Sequence, residues 1–279
     1  MRDLGPSPIQ GSGQALEILR AMPPKGVKTR PTPLVFVHGA FAGAWCWAEH
    51  FLQFFAARGY RCIAPSLRGH GESFGRDTID AYGIYDYVED IADTISDLSE
   101  RPVLIGHSMG GFVSMKYAEG HDLAGLVLLA SVPPGGLIGP SMSLALWNPM
   151  LVYEIGMVQA GQPQAMSVDG MRQALFSNAS SKERVERFMP MMGTESQTAV
   201  SEMYGLIQVD PTRIRDRMPV FVAGAAQDSL IPPAFIRSTA RLFRTDATIY
   251  DHIGHSLMLG ENWQEAAQHL AHWLDAHDI

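Results

Sequence analysis

The chain has 279 residues, of which 46% are hydrophobic and 18% are charged, and its formal net charge is −8. These values are typical of a globular protein that buries a substantial core in one large α/β domain, with room for an inserted segment. Because the charge is negative and no basic cluster is present, we expect neither nucleic acid nor an anionic membrane surface as a partner.

The cysteines and the start of the chain predict a cytoplasmic protein. Cys46 and Cys62, the only cysteines, both lie in apolar surroundings, where buried thiols are expected rather than a disulfide. Residues 1–14 lack the basic region and apolar run of a secretory signal, and no apolar run reaches membrane-spanning length. We therefore expect no membrane insertion. The oligomeric state stays open, with a homodimer as one option.

Strand and helix patterns alternate along most of the chain. Strands are predicted, in order, at residues 15–22, 34–37, 61–64, 103–105, 123–129, 220–223 and 248–250. Helices are predicted at residues 48–58, 85–98, 112–118 and 261–276. In residues 85–98, for example, Val88, Ile91 and Ile95 form one apolar face. This order predicts an α/β fold with a mostly parallel central sheet and helices on both faces.

The alternation stops between residues 132 and 217. This segment begins with a Pro-Pro-Gly-Gly sequence, has no strong strand pattern and contains nine of the fifteen methionines. We interpret it as a helical lid inserted into a core made of residues 1–131 and 218–279. Methionine suits an apolar pocket that adapts to its contents, so we expect Met157 and Met166, with Phe41, to contact substrate. Packing between lid and core is the alternative for any single methionine.

The most informative motif is Gly-x-Ser-x-Gly at residues 106–110. It follows an apolar strand pattern and precedes a helical one, which is the context of a nucleophile elbow. Such a turn lifts the hydroxyl of Ser108 above the edge of the sheet. Gly106 and Gly110 are needed because side chains there would collide with the neighbouring strand and helix.

A serine nucleophile needs a base, and the base needs a carboxylate that orients it. His255 lies in a loop between the last strand and the last helix, at the sheet edge that also carries Ser108. His252, at the preceding strand end, is its one close rival. Asp228 follows the strand at residues 220–223 and reaches the same edge. The weaker alternatives for the carboxylate are Asp210, Asp216 and Asp251.

The tetrahedral oxyanion of acyl transfer needs two backbone N–H donors, one of them from the residue after the nucleophile. Met109 supplies this first donor, at the positive end of the following helix. The second should come from the loop at residues 38–47, whose small residues let the backbone approach the elbow closely.

Four motifs together resemble the α/β-hydrolase superfamily; they lie at residues 38–47, 67–73, 106–111 and 254–259. The branch that the chain resembles contains plant methylesterases, hydroxynitrile lyases and bacterial esterases of lysophospholipase-like type. The order serine, aspartate, histidine is that of this superfamily. The resemblance implies that the N–H of Ala40 is the second oxyanion donor. Ser66 is a departure, since many relatives carry aspartate there, in a loop that is structural in them.

The same resemblance narrows the chemistry. Dehalogenases and epoxide hydrolases of this fold use an aspartate nucleophile, where this chain has Ser108. The similar hydroxynitrile lyases carry lysine directly after the catalytic histidine, where this chain has Ser256, so lyase activity is disfavoured. Carbon–carbon bond hydrolases tend to carry an aromatic residue there, and Ser256 weakens that interpretation too.

The expected function is therefore that of a serine esterase, which cleaves a small to medium, largely apolar ester through an acyl-enzyme on Ser108. No metal-ligand cluster and no phosphate-binding loop are visible in the sequence, so we expect no cofactor and no metal. A lactonase or a thioesterase with the same triad is an alternative. A small-molecule receptor of the same fold is another, which the complete triad and the glycine-containing oxyanion loop argue against.

Overall fold

A computed structural model of the protein describes residues 15–279, except the side chain of Pro163. The prediction that residues 1–14 contain no secretory signal lies outside these described residues. Among the residues that are described, no helix combines the length and the hydropathy that crossing a bilayer requires.

Seven strands form one sheet in the order β1-β3-β2-β4-β5-β6-β7. Their bounds are Ile18–Ala21 (β1), Leu34–Val37 (β2), Cys62–Pro65 (β3), Val103–His107 (β4), Gly125–Leu129 (β5), Val220–Ala225 (β6) and Ala247–Tyr250 (β7). β1 runs antiparallel to β3, and every other neighbouring pair in the sheet is parallel. The mostly parallel sheet predicted from the sequence is confirmed. Because its strands are parallel, their carboxyl ends meet at one edge.

Helices cover both faces of the sheet, as predicted. The core helices are α1 (Trp45–Ala48), α2 (Phe51–Ala56), α3 (Ile84–Ile95), α4 (Met109–Ala118), α10 (Pro233–Leu242) and α11 (Trp263–Ala276). Alternate side chains of each strand enter two apolar cores. In β4, Val103 and Ile105 pack in the core under α1, α2 and α11, whereas Leu104 packs under α3, α4 and α10.

The helix predicted at residues 48–58 is shorter in the structure, where α2 covers Phe51–Ala56, and a separate short helix, α1, precedes it and shares only Ala48 with the prediction. His50 leaves the helical conformation between α1 and α2, with φ −142° and ψ −53°. Its ring stacks on Trp263 of α11, with the centroids 4.4 Å apart. This tertiary contact accompanies a break that the apolar spacing of the segment does not reveal.

The segment between β5 and β6, residues 132–217, contains helices and no strand. Its α-helices are α5 (Ile138–Trp147), α6 (Pro149–Gln159), α7 (Val168–Leu175), α8 (Lys182–Phe188) and α9 (Gln197–Ser201). It contacts the loops at the carboxyl edge of the sheet. The Gly193 N–H donates to the Phe41 carbonyl at 2.8 Å, and the Ser256 N–H donates to the Leu175 carbonyl at 2.8 Å. Segment 132–217 therefore adjoins the edge where the candidate site lies.

Candidate active site

Ser108 is the single residue between β4 and α4. Its φ of 51° and ψ of −119° lie outside the regions that residues with a Cβ ordinarily occupy. A Cβ at Gly106 would collide with the backbone of Gly110, and one at Gly110 would collide with the carbonyl of His38. The glycines therefore allow the close packing of strand and helix that this strained turn requires.

Asp228 and His255 form a buried hydrogen-bonded pair at the same edge. Asp228 follows β6, and its Oδ2 lies 2.8 Å from His255 Nδ1. Its Oδ1 accepts the N–H groups of Leu230 and Ile231 at 2.9 and 2.8 Å. These two bonds hold the carboxylate so that Oδ2 faces the ring. The side chains of Asp228 and His255 are only 0% and 2% exposed, so the pair is shielded from water.

The rival residues lie on the surface and away from this pair. His252 and Asp251 are exposed. Asp210 is exposed and caps a short helix by accepting the Thr212 N–H, and Asp216 pairs with Arg244. Of the carboxylates considered from the sequence, Asp228 is therefore the one that reaches His255.

His107, the residue before Ser108, lies against His255. The ring centroids are 4.7 Å apart, and His107 Nε2 donates to the His255 backbone carbonyl at 3.0 Å. Burial, and next the neighbouring His255, hold the pKa of His107 well below its ordinary value. The neutral ring therefore supports the loop that carries His255. In the sequence, only its position beside Ser108 indicates that His107 lies near the site.

The backbone N–H groups of Ala40 and Met109 are both free. Within residues 15–279, no group accepts a hydrogen bond from either of them. His38 sets the direction of the Ala40 N–H through the peptide that joins Gly39 to Ala40. Its Nε2 accepts the Leu67 N–H at 3.0 Å, so its Nδ1 carries the proton and donates to the Gly39 carbonyl at 2.8 Å. Burial, and next the charge of His70, lower the pKa of His38 to about 3, which keeps its ring neutral.

A cavity of about 110 Å³ adjoins Ser108 and His255. No charged side chain is among the described residues that line it. Its polar lining side chains are two histidines and two serines, and the rest of the lining is apolar apart from the Cys46 thiol. The lining residues are Ala40, Phe41, Ala42, Trp45, Cys46, His107, Ser108, Met171, Leu175, Phe176, Phe188, Leu230, Met192, His255, Ser256, Met258 and Leu259.

Of the three residues predicted to contact substrate, only one lines this cavity. Phe41 lines it, but Met157 and Met166 do not. Met166 is instead buried in a small cluster within segment 132–217, with Leu144, Leu151 and Ala174, because that segment needs an apolar core of its own. The methionines of segment 132–217 that line the cavity are Met171 and Met192. The spacing of Met171 and Leu175, four residues apart on α7, was the available signal for this face.

A larger surface groove of about 260 Å³ lies elsewhere, near the start of α7 and α8. Polar and charged residues form most of its lining, among them Asp169, Arg172 and Lys182, and Ser108, Asp228 and His255 are not part of it. In the described part of the chain, no group of three His, Cys, Asp or Glu side chains is arranged to hold a metal ion.

Fold and site together define a class of protein. A mostly parallel sheet that carries a serine at a strand-to-helix turn, followed in the chain by an aspartate and a histidine, is the α/β-hydrolase fold. A profile described as "Alpha/beta hydrolase family" matches residues 34–269. The chain therefore belongs to the α/β-hydrolase family, as its motifs indicated.

Similar sequences share only part of their length with the chain. A non-heme chloroperoxidase of Streptomyces lividans is 40% identical over 37% of this chain and 37% of its own length. The methylesterase MES16 of Arabidopsis thaliana is 31% identical over 39% of this chain and 43% of its own length. For protein ABHD8 of Mus musculus the identity is 34%, over 39% of this chain and 25% of the mouse protein. The chain thus spans about a quarter to two fifths of these curated relatives.

Solved structures share the whole fold at low identity. A thermophilic esterase from Thermogutta terrifontis superposes with a TM-score of 0.73 and 20% identity, over 99% of this chain and all of that chain (100%). A bromoperoxidase from Bacillus anthracis gives a TM-score of 0.68 and 18% identity, over 94% of this chain and 97% of that chain. These likenesses extend the fold assignment to segment 132–217.

Proposed function

We propose that the protein is a serine esterase that cleaves small to medium, largely apolar carboxylic esters through an acyl-enzyme on Ser108. One observation carries the proposal. The buried bond between His255 Nδ1 and Asp228 Oδ2, at 2.8 Å, lies beside an apolar cavity that Ser108 also lines. A base that is oriented in this way next to a serine is the arrangement that acyl transfer requires.

The proposed reaction begins with proton transfer from serine to histidine. Because His255 Nδ1 donates to Asp228, its Nε2 carries the free lone pair and accepts the Ser108 proton as Oγ attacks the ester carbonyl. The N–H groups of Ala40 and Met109 hold the oxyanion that forms. The ester C–O bond then breaks, and His255 protonates the leaving alcohol. Water repeats the sequence on the acyl-enzyme and releases the acid.

The cavity supports the proposed substrate class. A charged acyl group would be buried there without a partner, which is costly, because none of the described lining residues is charged. Its volume of about 110 Å³ is smaller than that of a cavity of about 150 Å³ that holds benzene. At this volume the site suits a short acyl group, and a longer one needs the lining to move.

The part that moves in this proposal is segment 132–217, acting as a lid. Five of its residues line the cavity, namely Met171, Leu175, Phe176, Phe188 and Met192. Thioether side chains adapt to ligands of different shape, which suits a lid that closes over varied acyl chains. The proposal keeps the cytoplasmic location expected from the sequence, and the two cysteines are buried and unbonded, which fits a reducing compartment.

The relatives' names favour ester hydrolysis without deciding the substrate. They include the Arabidopsis methylesterase and a pyrethroid hydrolase of Sphingobium wenxiniae, which is 31% identical over 36% of this chain. Haloperoxidases are also present among them. A panel of p-nitrophenyl esters, a γ-lactone and an acyl thioester separates the substrate classes that share the triad.

The experiment compares wild type and Ser108→Ala on this panel. We expect short p-nitrophenyl esters to be hydrolysed, and the substitution to lower kcat by about a millionfold. Circular dichroism should show an unchanged fold, because the alanine adds no atoms to the turn. Hydrolysis by Ser108→Ala at a rate near that of wild type would overturn the mechanism.

A further inference from the structure

Glu195 is a buried carboxylate of segment 132–217 that the proposed reaction does not use. Its side chain is 0% exposed. Oε1 accepts the Tyr87 hydroxyl and the Ser196 N–H, both at 2.8 Å. Oε2 accepts His70 Nε2 at 3.0 Å and the Phe41 N–H at 3.3 Å. Four donors thus surround a group that would be costly to bury without them.

His70 is the partner that keeps this carboxylate charged. Both ring nitrogens of His70 face acceptors, since Nδ1 donates to the Arg68 carbonyl at 3.1 Å and Nε2 faces Glu195. A neutral ring can donate from only one nitrogen, so this geometry favours an imidazolium beside a carboxylate. Burial alone would lower the pKa of His70, but the Glu195 charge and hydrogen bond raise it. Burial would likewise raise the pKa of Glu195, but His70 and the other donors lower it.

The Glu195–His70 ion pair contacts the loop after β2 at Phe41, whose N–H donates to Glu195. Phe41 has a φ of 61°, a left-handed conformation that is unfavourable for a residue with a Cβ. Its N–H is held by Glu195 and its carbonyl by the Gly193 N–H at 2.8 Å. Segment 132–217 therefore holds both sides of a residue that would otherwise relax out of this turn.

Ala40 lies between two fixed peptide groups. His38 holds the preceding peptide by its carbonyl at Gly39, and Glu195 holds the following peptide by its N–H at Phe41. The Ala40 N–H itself is left without an acceptor in the described part of the chain. Because the Phe41 N–H is occupied by Glu195, it does not compete as an oxyanion donor.

We propose that Glu195, paired with His70, is a positioning residue of the oxyanion site: it holds the Ala40–Phe41 peptide so that the Ala40 N–H faces the reacting carbonyl. This inference rests on the proposed esterase function and extends it. Segment 132–217 then does more than cover the cavity, because the oxyanion site is complete only while residues 193–195 contact the loop after β2. Docking of that segment and catalytic competence are thereby coupled.

The first experiment compares Glu195→Gln with a matched control, Glu119→Gln. Glu119 is also buried and also joins core to segment 132–217, by accepting the Asp210 N–H at 2.6 Å, but its carboxylate pairs with Lys116 and not with the loop after β2. Loss of an oxyanion donor costs about 10²–10³ in kcat, and a displaced donor loses part of that. We expect Glu195→Gln to lower kcat on p-nitrophenyl acetate by about 10- to 100-fold with KM changed less than about twofold. Glu119→Gln should leave both near wild type.

A double-variant cycle separates positioning from a general loss of structure. Glycine adopts the left-handed conformation without strain, so in Phe41→Gly the turn depends less on Glu195. The kcat loss caused by Glu195→Gln should therefore be several-fold smaller in the Phe41→Gly background than in wild type. A trifluoromethyl ketone, whose adduct carries the oxyanion, should lose affinity in Glu195→Gln by the same factor as kcat.

The outcomes distinguish this inference from the function on which it rests. If wild type hydrolyses esters and Glu195→Gln keeps its kcat, or if the loss is equal in both backgrounds, the positioning role is wrong and the esterase proposal stands. If Glu195→Gln does not fold, the trifluoromethyl ketone affinity of His70→Asn replaces it, and an unchanged affinity overturns the inference. If wild type hydrolyses no ester and Ser108 is not labelled by a fluorophosphonate, the function and the inference both fail.

Discussion

Replacing Asp228 by asparagine tests the geometry of the triad, because the two carboxylate oxygens have different partners. Oδ1 accepts two backbone N–H groups, so an asparagine oxygen would stay there and its NH2 would face His255 Nδ1. A donor cannot face a donor, and the imidazole proton would therefore move from Nδ1 to Nε2. A protonated Nε2 cannot take the proton of Ser108.

The wrong tautomer lowers kcat by about 10⁴ in an equivalent triad, which corresponds to about 5.4 kcal/mol of transition-state stabilisation. We expect the same loss for Asp228→Asn, with KM and melting temperature little changed, because shape and both backbone bonds are kept. The measurement is the steady-state kcat on p-nitrophenyl acetate. Asp251→Asn, at an exposed site directly after β7, is the control and should stay within about twofold of wild type. A loss below tenfold for Asp228→Asn, or a larger one for Asp251→Asn, would refute this reasoning.

Two further changes test the lid and the buried ion pair. Each substrate methylene that is buried contributes about 0.8 kcal/mol, or about fourfold in kcat/KM. In a graded p-nitrophenyl ester series, joint replacement of Met171 and Met192 by serine should reduce the rise of kcat/KM with acyl-chain length. The control, Met157→Ser, should leave that rise unchanged. Equal slopes for the two variants would contradict the lid's role in substrate contact. Because the pKa of His70 is raised, its charge stabilises the fold below about pH 6.5, and this stabilisation is lost as pH rises through the raised pKa. Because the pKa of Glu195 is lowered, its charge stabilises the fold above about pH 4.5. Thermal melts of wild type and Glu195→Gln should therefore differ most near about pH 5.5 and less at about pH 10, and an equal difference at both would exclude the ion pair.

The parts of the fold and site that the sequence predicts are those encoded by neighbouring residues. β2 begins and ends where predicted, because Pro33 precedes the apolar run and Gly39 follows it closely. Ser108, Asp228 and His255 each lie shortly after a strand pattern, and parallel strands bring their carboxyl ends to one edge. Local pattern and one topological rule were therefore enough to bring Asp228 to His255.

The parts that the sequence does not predict depend on packing between distant segments. His70 and Glu195 are 125 positions apart and meet only because segment 132–217 docks on the core. Sequence reasoning found no role for His70, since nothing near it in the chain indicates a buried anion. Met157 and Met166 were expected at the cavity on composition alone, and composition does not say which face of a helix points inward. The helical segment has its own small core, which takes Met166.

The central claim is that Ser108 is a nucleophile activated by His255, and intact-protein mass spectrometry after fluorophosphonate treatment tests it most directly. Wild type should gain a single adduct, mapped by digestion to the peptide that contains Ser108. Asp228→Asn should label far more slowly, and Ser108→Ala should not gain the adduct. Labelling of Ser108→Ala at the wild-type rate, or an adduct mapped to any other residue, would contradict the account.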